Sequence, residues 1–158
     1  MRPVRESMSQ GGEAVRAFLH CTWAGRPPLS ALMHIHTTDT APAAVGPYSQ
    51  AVRSGQLLFC AGMLPLVPSS MKIEATEIEG QTTQVLANIT ALLTSAGLSL
   101  SHVVKTTVFL KDLGDFAKMN ALYAAAFGEH KPARSTVQVA KLPLDALVEI
   151  EVIAEFPA

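Results

Sequence analysis

Between residues 79 and 96 the apolar side chains Val85, Ile89, Leu92, Leu93 and Ala96 recur at i, i+4, i+7, i+8 and i+11. That spacing marks one face of an amphipathic helix. Gly97 follows as its stop, because glycine readily takes the left-handed conformation that ends helices. A second helical pattern sets Phe116, Met119, Tyr123 and Phe127 on one side, with Asp115 as cap and Gly128 as terminator. Residues 103–111 are rich in β-branched side chains and read as a strand. Residues 51–53 and 56–61, joined through Ser54 and Gly55, read as a hairpin, and a short polar strand begins at His34. Residues 41–50 form a loop punctuated by proline and glycine that contains Tyr48, and Pro65 and Pro68 open a second loop running to about Ile73.

Two more alternating segments lie near the C-terminus. In residues 131–139, Ser135, Val137 and Val139 share one side, while Arg134, Thr136 and Gln138 share the other. In residues 147–153, Val148, Ile150 and Val152 oppose Leu147, Glu149, Glu151 and Ile153. The order of strand, strand, helix, strand, helix, strand, strand predicts an α+β sandwich, a mixed β-sheet with two helices packed on one face. Arg134, Thr136, Glu149 and Glu151 are expected together on the uncovered face. With Leu147 and Ile153 beside them, that face is too apolar for solvent and too polar for a closed core, so an oligomer interface is expected to cover it.

A chain of 158 residues that is 49% hydrophobic and 16% charged is long enough for one self-sufficient core. Cys21 and Cys60 stand far apart and form neither a metal knuckle nor a disulfide framework, which predicts a reduced, cytoplasmic setting. No apolar run approaches the roughly 20 residues of a membrane span. Residues 33–158, the expected domain, hold eight basic and eleven acidic side chains, a balance of 8 − 11 = −3. That sign opposes nucleic-acid binding, which needs clustered positive charge. Residues 1–32 hold four arginines against two glutamates and read as a disordered extension, with a mitochondrial transit peptide as the alternative.

Arg134 and Arg53 are the only arginines in the expected domain. A guanidinium presents a planar fork that matches a carboxylate, so Arg134 near Glu149 makes a candidate site for a small carboxylic acid. The competing reading is an interface ion pair from Arg134 to Glu149 or Glu151. His34 and His36 share one side of a short strand but find no third metal ligand, and no metal is expected. Ser30, Ser49 and Ser135 have no evident base partner, and no glycine-rich phosphate loop is present.

Three groups of residues also carry a family resemblance. Residues 41–51, from Ala41-Pro42 through Gly46-Pro47-Tyr48-Ser49-Gln50-Ala51, come first, and residues 104–113 follow, from Val104-Lys105-Thr106-Thr107 to Leu113. Pro132-Ala133-Arg134-Ser135, Leu142-Pro143 and residues 148–154 complete the set. Together they resemble, in order and over roughly residues 34–156, the RidA (YjgF) family of reactive intermediate deaminases. The resemblance implies a homotrimer of chorismate-mutase-like protomers with three sites between subunits, no cofactor, and hydrolysis of 2-iminobutanoate or 2-iminopropanoate to a 2-oxo acid and ammonia. It implies Arg134 as the carboxylate clamp, Thr136 as a backbone donor to that carboxylate, and Glu149 as the acid that orients water. Tyr48 would close the cleft, and Gly62 with Ala61 would lie against the substrate.

The alternative for Tyr48 is a core aromatic, and Asn88, which matches a recurrent family position, is assigned only a structural hydrogen bond. The sequence departs from well-known members at Ala61 and Met63, where they carry serine and glutamine, and at Thr136, where several carry cysteine. The loop before Pro132 is about three residues shorter, a change cheap in stability. A non-catalytic module that binds a small 2-oxo acid at a trimer cleft is the alternative function.

Overall fold

Val85, Leu92 and Leu93 are wholly buried and Ile89 nearly so, all on the inner face of helix α1, Ile78–Ser95, in the computed structural model, which describes residues 33–157. The readings placed on residues 1–32 lie outside the described residues. Gly97 ends α1 with φ +77°, and its N–H and that of Leu98 turn back to the carbonyls of Thr94 and Leu93 at 2.9 and 2.8 Å. Two orphan carbonyls are thereby satisfied, as the glycine predicts. Helix α2, Phe116–Phe127, buries Met119, Tyr123 and Phe127 and stops at Gly128. Asp115 does not cap it by its side chain, because its backbone is already helical (φ −84°, ψ −2°). A side-chain cap needs an extended N-cap. Asp112 takes that role one turn earlier, accepting from the Gly114 N–H at 2.7 Å at the head of a short 3-10 turn.

The sheet has six strands: β1 (Met33–His36), β2 (Ala51–Ser54), β3 (Leu57–Cys60), β6 (Val103–Leu110), β7 (Ala133–Gln138) and β8 (Val148–Glu155). Their order is β1-β2-β3-β8-β6-β7, antiparallel throughout except for the parallel pair β6 and β7 that α2 connects. The loop expected from Pro65 to Ile73 contains a small extra ladder, β4 (Leu66–Val67) against β5 (Lys72–Ile73). Both helices lie on one face of the sheet, and Leu58, Val108, Leu110, Val148 and Ile150 meet them in the core. Cys60 belongs to this core; burial pushes its thiol up to about 12, which leaves it an inert packing residue. Among the described residues no helix is long and apolar enough to cross a membrane.

Register corrects one expectation. Residues paired directly across neighbouring strands share a face. Thr106 pairs with Arg134 and with Val152, and Val108 pairs with Thr136 and with Ile150. Arg134 and Thr136 therefore stand on the helix side. Phe109 pairs with Glu149 and Thr107 with Glu151, which puts both carboxylates on the opposite, open side beside Ser135 and Val137. Alternation fixes faces within a strand, not between strands. Arg134 tolerates the helix side because β7 is the sheet's edge, where its side chain remains exposed.

The open face carries Ile35 at 69% exposure, Phe59 at 44% and Val137 at 43%, with Val52, Phe109 and Ile153 half-buried among them. Single exposed apolar residues are ordinary, whereas a contiguous set across several strands marks an interaction surface.

Candidate functional site

Three buried amides position the loops around Glu149. Gln50 donates from Nε2 to the carbonyls of Thr38 (3.0 Å) and Pro42 (2.7 Å), while its Oε1 accepts from the Thr38 N–H at 2.7 Å. Those bonds tie down the loop that carries Tyr48. Asn88 donates to the carbonyls of Leu64 (3.1 Å) and Leu66 (2.8 Å), a structural role that fixes the segment after Gly62 to α1. Gln81 donates to Ala75 and accepts from the Leu147 N–H at 2.8 Å, which pins the entry to β8. In each case the buried polar group is paired, as a buried group must be.

Ala61 donates its N–H to the Gln50 carbonyl at 2.9 Å, and Met63 exchanges both backbone bonds with Ile150. Gly62, held between them, runs directly beneath the Glu149 carboxylate, in the space that a Cβ at 62 would occupy. Only glycine leaves room for that carboxylate. Tyr48, half exposed, rims a shallow depression of about 30 Å³ with Gln50, Ala61, Gly62 and Met63. Its ring is therefore not a core aromatic. Met63 is 6% exposed and part of the core, so its departure from the family acts mostly on packing. Glu149 is half-buried, and desolvation followed by the like charge of Glu151 raises its carboxyl above the ordinary 4.5.

Arg134 lies elsewhere on the same chain. Its guanidinium stands 4.6 Å from the centroid of the Tyr123 ring and 5.8 Å from that of Phe116, both on α2. A cleft of about 370 Å³ opens beside it, lined by Asn120, Tyr123, Phe127, His130 and Lys131. Among the described residues the ion pairs are Lys111 with Asp145 and Lys118 with Glu79; Arg134 joins neither, and no hydrogen bond occupies its fork. Within one chain Arg134 pairs with neither Glu149 nor Glu151; the alternative of an interface ion pair concerns a second copy. Thr136 is half-buried with its hydroxyl unpartnered. Its strand lies at the sheet edge, where half of the main-chain groups have no neighbouring strand.

The structure thus gathers Tyr48, Ala61, Gly62 and Glu149 on one side and places Arg134 with Thr136 on the other. Sequence reasoning gave no role to Gln50, although it lies in the motif of residues 41–51, or to Tyr123, which looked like core. Among the described residues no group of three or more His, Cys, Asp or Glu side chains is placed to hold a metal.

Fold and geometry together define a small α+β protein with an open sheet face and two groups of candidate residues, Tyr48 to Glu149 and Arg134 with Thr136, that lie on opposite sides of the sheet. The family model for Endoribonuclease L-PSP matches residues 38–156. A 2-iminobutanoate/2-iminopropanoate deaminase of Escherichia coli K12 is 48% identical over 120 residues, covering 74% of this chain and 93% of its own length. The chloroplastic Reactive Intermediate Deaminase A of Arabidopsis thaliana is 50% identical over 118 residues, 75% of this chain and 63% of that protein. The crystal structure of E. coli TdcF with bound serine superposes with a TM-score of 0.75 at 42% identity, covering 78% of this chain and 99% of that one. The chain belongs to the Endoribonuclease L-PSP family, the RidA (YjgF) family of its sequence motifs.

Proposed function

We propose that the protein hydrolyses 2-imino acids, 2-iminobutanoate and 2-iminopropanoate among them, to 2-oxo acids and ammonia, as a cytoplasmic homotrimer of chorismate-mutase-like protomers with its sites between subunits. The observation that carries the proposal is the unoccupied guanidinium fork of Arg134 at the mouth of a cleft. A fork of this geometry suits the substrate carboxylate, and the Thr136 N–H at the sheet edge supplies a further donor. Arg134 and Glu149 point away from each other across one sheet. In the proposed assembly a second copy lies on the open face, covers the exposed Ile35, Phe59 and Val137, and sets its Arg134 beside the first chain's Glu149.

The carbon of a protonated imine is already electrophilic, so the reaction calls for no cofactor. Water attacks that carbon, a C–O bond forms, and the C=N π pair moves to nitrogen. Glu149 accepts the proton of the attacking water and then delivers it to nitrogen. The hydroxyl then gives its remaining proton to Glu149 and collapses to a carbonyl as the C–N bond breaks, and the released ammonia takes up that proton and leaves as ammonium. A carboxyl raised toward working pH exchanges protons more readily in both steps. Tyr48 closes the rim, and Gly62 and Ala61 lie along the substrate. The domain's charge of −3 makes nucleic acid a poor partner.

The test is an assay in which a threonine dehydratase generates the imine and 2-oxobutanoate release is followed. The protein is expected to accelerate release above the spontaneous rate. A verified oligomer with no effect on the rate, yet binding 2-oxobutanoate in calorimetry, would replace the enzyme with a binding module. Gly62→Ala offers a finer check. The added methyl displaces the flexible end of Glu149 and leaves the fold intact, so unfolding temperature should hold while kcat falls about 10²-fold, the scale of a small misplacement of a catalytic group.

A further inference from the structure

We infer that Tyr123, fixed by Thr106, is the positioning residue that holds the Arg134 guanidinium ready for its anion, a role that rests on the carboxylate-binding assignment of Arg134. An arginine on an exposed edge strand with no acceptor should wander through many rotamers, and a wandering fork binds weakly because ordering it opposes binding. Here three contacts oppose that freedom. The guanidinium lies over the Tyr123 ring at 4.6 Å, with Phe116 at 5.8 Å. The Tyr123 ring is buried and stacked on Phe127, with centroids 4.3 Å apart and planes 23° from parallel. The Tyr123 hydroxyl is hydrogen-bonded at 2.9 Å to the hydroxyl of Thr106, and Thr106 is the residue paired with Arg134 across β6 and β7.

These contacts close a loop. Strand pairing sets where the Arg134 backbone sits relative to Thr106, the hydroxyl pair sets where the Tyr123 ring sits relative to Thr106, and the ring face sets the guanidinium. Stacking engages the face of the guanidinium and leaves its N–H edge free for a carboxylate. Burial, the largest influence, raises the Tyr123 phenol above its ordinary value, so at neutral pH it stays an uncharged hydroxyl. On the proposed assignment the ring acts on the guanidinium that grips the carboxylate, and the water and the carbon it attacks belong to Glu149.

Such a residue affects how well the carboxylate is held in ground and transition states alike, so its loss should raise KM and leave kcat nearly unchanged. The experiment measures the Kd of 2-oxobutanoate by calorimetry, and KM and kcat in the dehydratase-coupled assay, for Tyr123→Leu, Tyr123→Phe, Thr106→Val, Arg134→Ala and the double variant Tyr123→Leu/Arg134→Ala. Oligomer size and unfolding temperature accompany each. Tyr123→Leu is expected to raise Kd and KM about fivefold with kcat within about twofold, the scale of a cation–π contact to an exposed arginine. Tyr123→Phe and Thr106→Val, which keep the ring and free it, are expected to raise both by about threefold. In the Arg134→Ala background the Tyr123→Leu effect should vanish, since two residues acting through one contact are not additive.

An unchanged Kd in folded Tyr123→Leu overturns the inference, as does an effect that persists in full without Arg134. If Tyr123→Leu fails to assemble, unchanged Kd in both Tyr123→Phe and Thr106→Val overturns it instead. An unchanged Kd in Arg134→Ala alone defeats the assignment of Arg134 as the carboxylate clamp, an outcome distinct from the others.

Discussion

Arg134→Ala will lower kcat/KM for 2-iminobutanoate by roughly 10²–10⁴-fold, the equivalent of two charge-assisted hydrogen bonds at about 1.5–3 kcal/mol each. Most of the loss will fall on KM, because the carboxylate is gripped before, during and after water attack. Stability should hardly change. Arg134 is exposed, joins no ion pair among the described residues, and stacks on Tyr123 without being needed to bury it. Steady-state kinetics beside a thermal melt will separate the two effects, and a variant with wild-type KM would remove the carboxylate clamp from the mechanism. Arg134→Lys should recover only part of the loss, since an ammonium cannot reproduce the fork.

Glu149→Gln will spare KM and lower kcat by about 10²–10⁴-fold, the usual contribution of a positioned general base. The acidic limb of the pH–rate profile should vanish with it. Glu151→Gln should keep the limb and shift it to lower pH, because the like charge that helps to raise Glu149 is then gone. A limb unmoved by either change would assign it to another group. The two defective chains also test each other. Arg134→Ala and Glu149→Gln chains, unfolded and reassembled together in equal amounts, should recover about a quarter of wild-type activity, because sites shared between subunits then include some with both residues intact. If each chain carried its own complete site, the mixture would stay inactive.

Much of the fold was legible because its signals were local. The α1 stripe through Val85, Ile89, Leu92 and Leu93 and the stop at Gly97 depend on neighbours a few residues away, and both appear as expected. The relation of Arg134 to Glu149 did not follow, since it depends on the β6 register with both β7 and β8. Polarity suggested that four polar side chains share a face, whereas pairing divides them two and two. The contact between Gly62 and Glu149 was legible only as a glycine wanted for close approach. Its cause, the Met63 bridge to Ile150, joins residues far apart in sequence. Tyr123 was read as core, correctly for its ring, but nothing in the helical period shows what lies on the ring's exposed side.

The uncovered sheet face bears on how activity scales with amount. A lone chain exposes Ile35, Phe59 and Val137 to water and, in the proposed assembly, would hold pieces of two different sites. If the sites exist only after assembly, as proposed, turnover per chain would depend on how many chains are present, and dilution would silence the protein without unfolding it. Freshly made chains would remain inert until they met one another, so protection against reactive imines would begin at a threshold of expression rather than with the first copy.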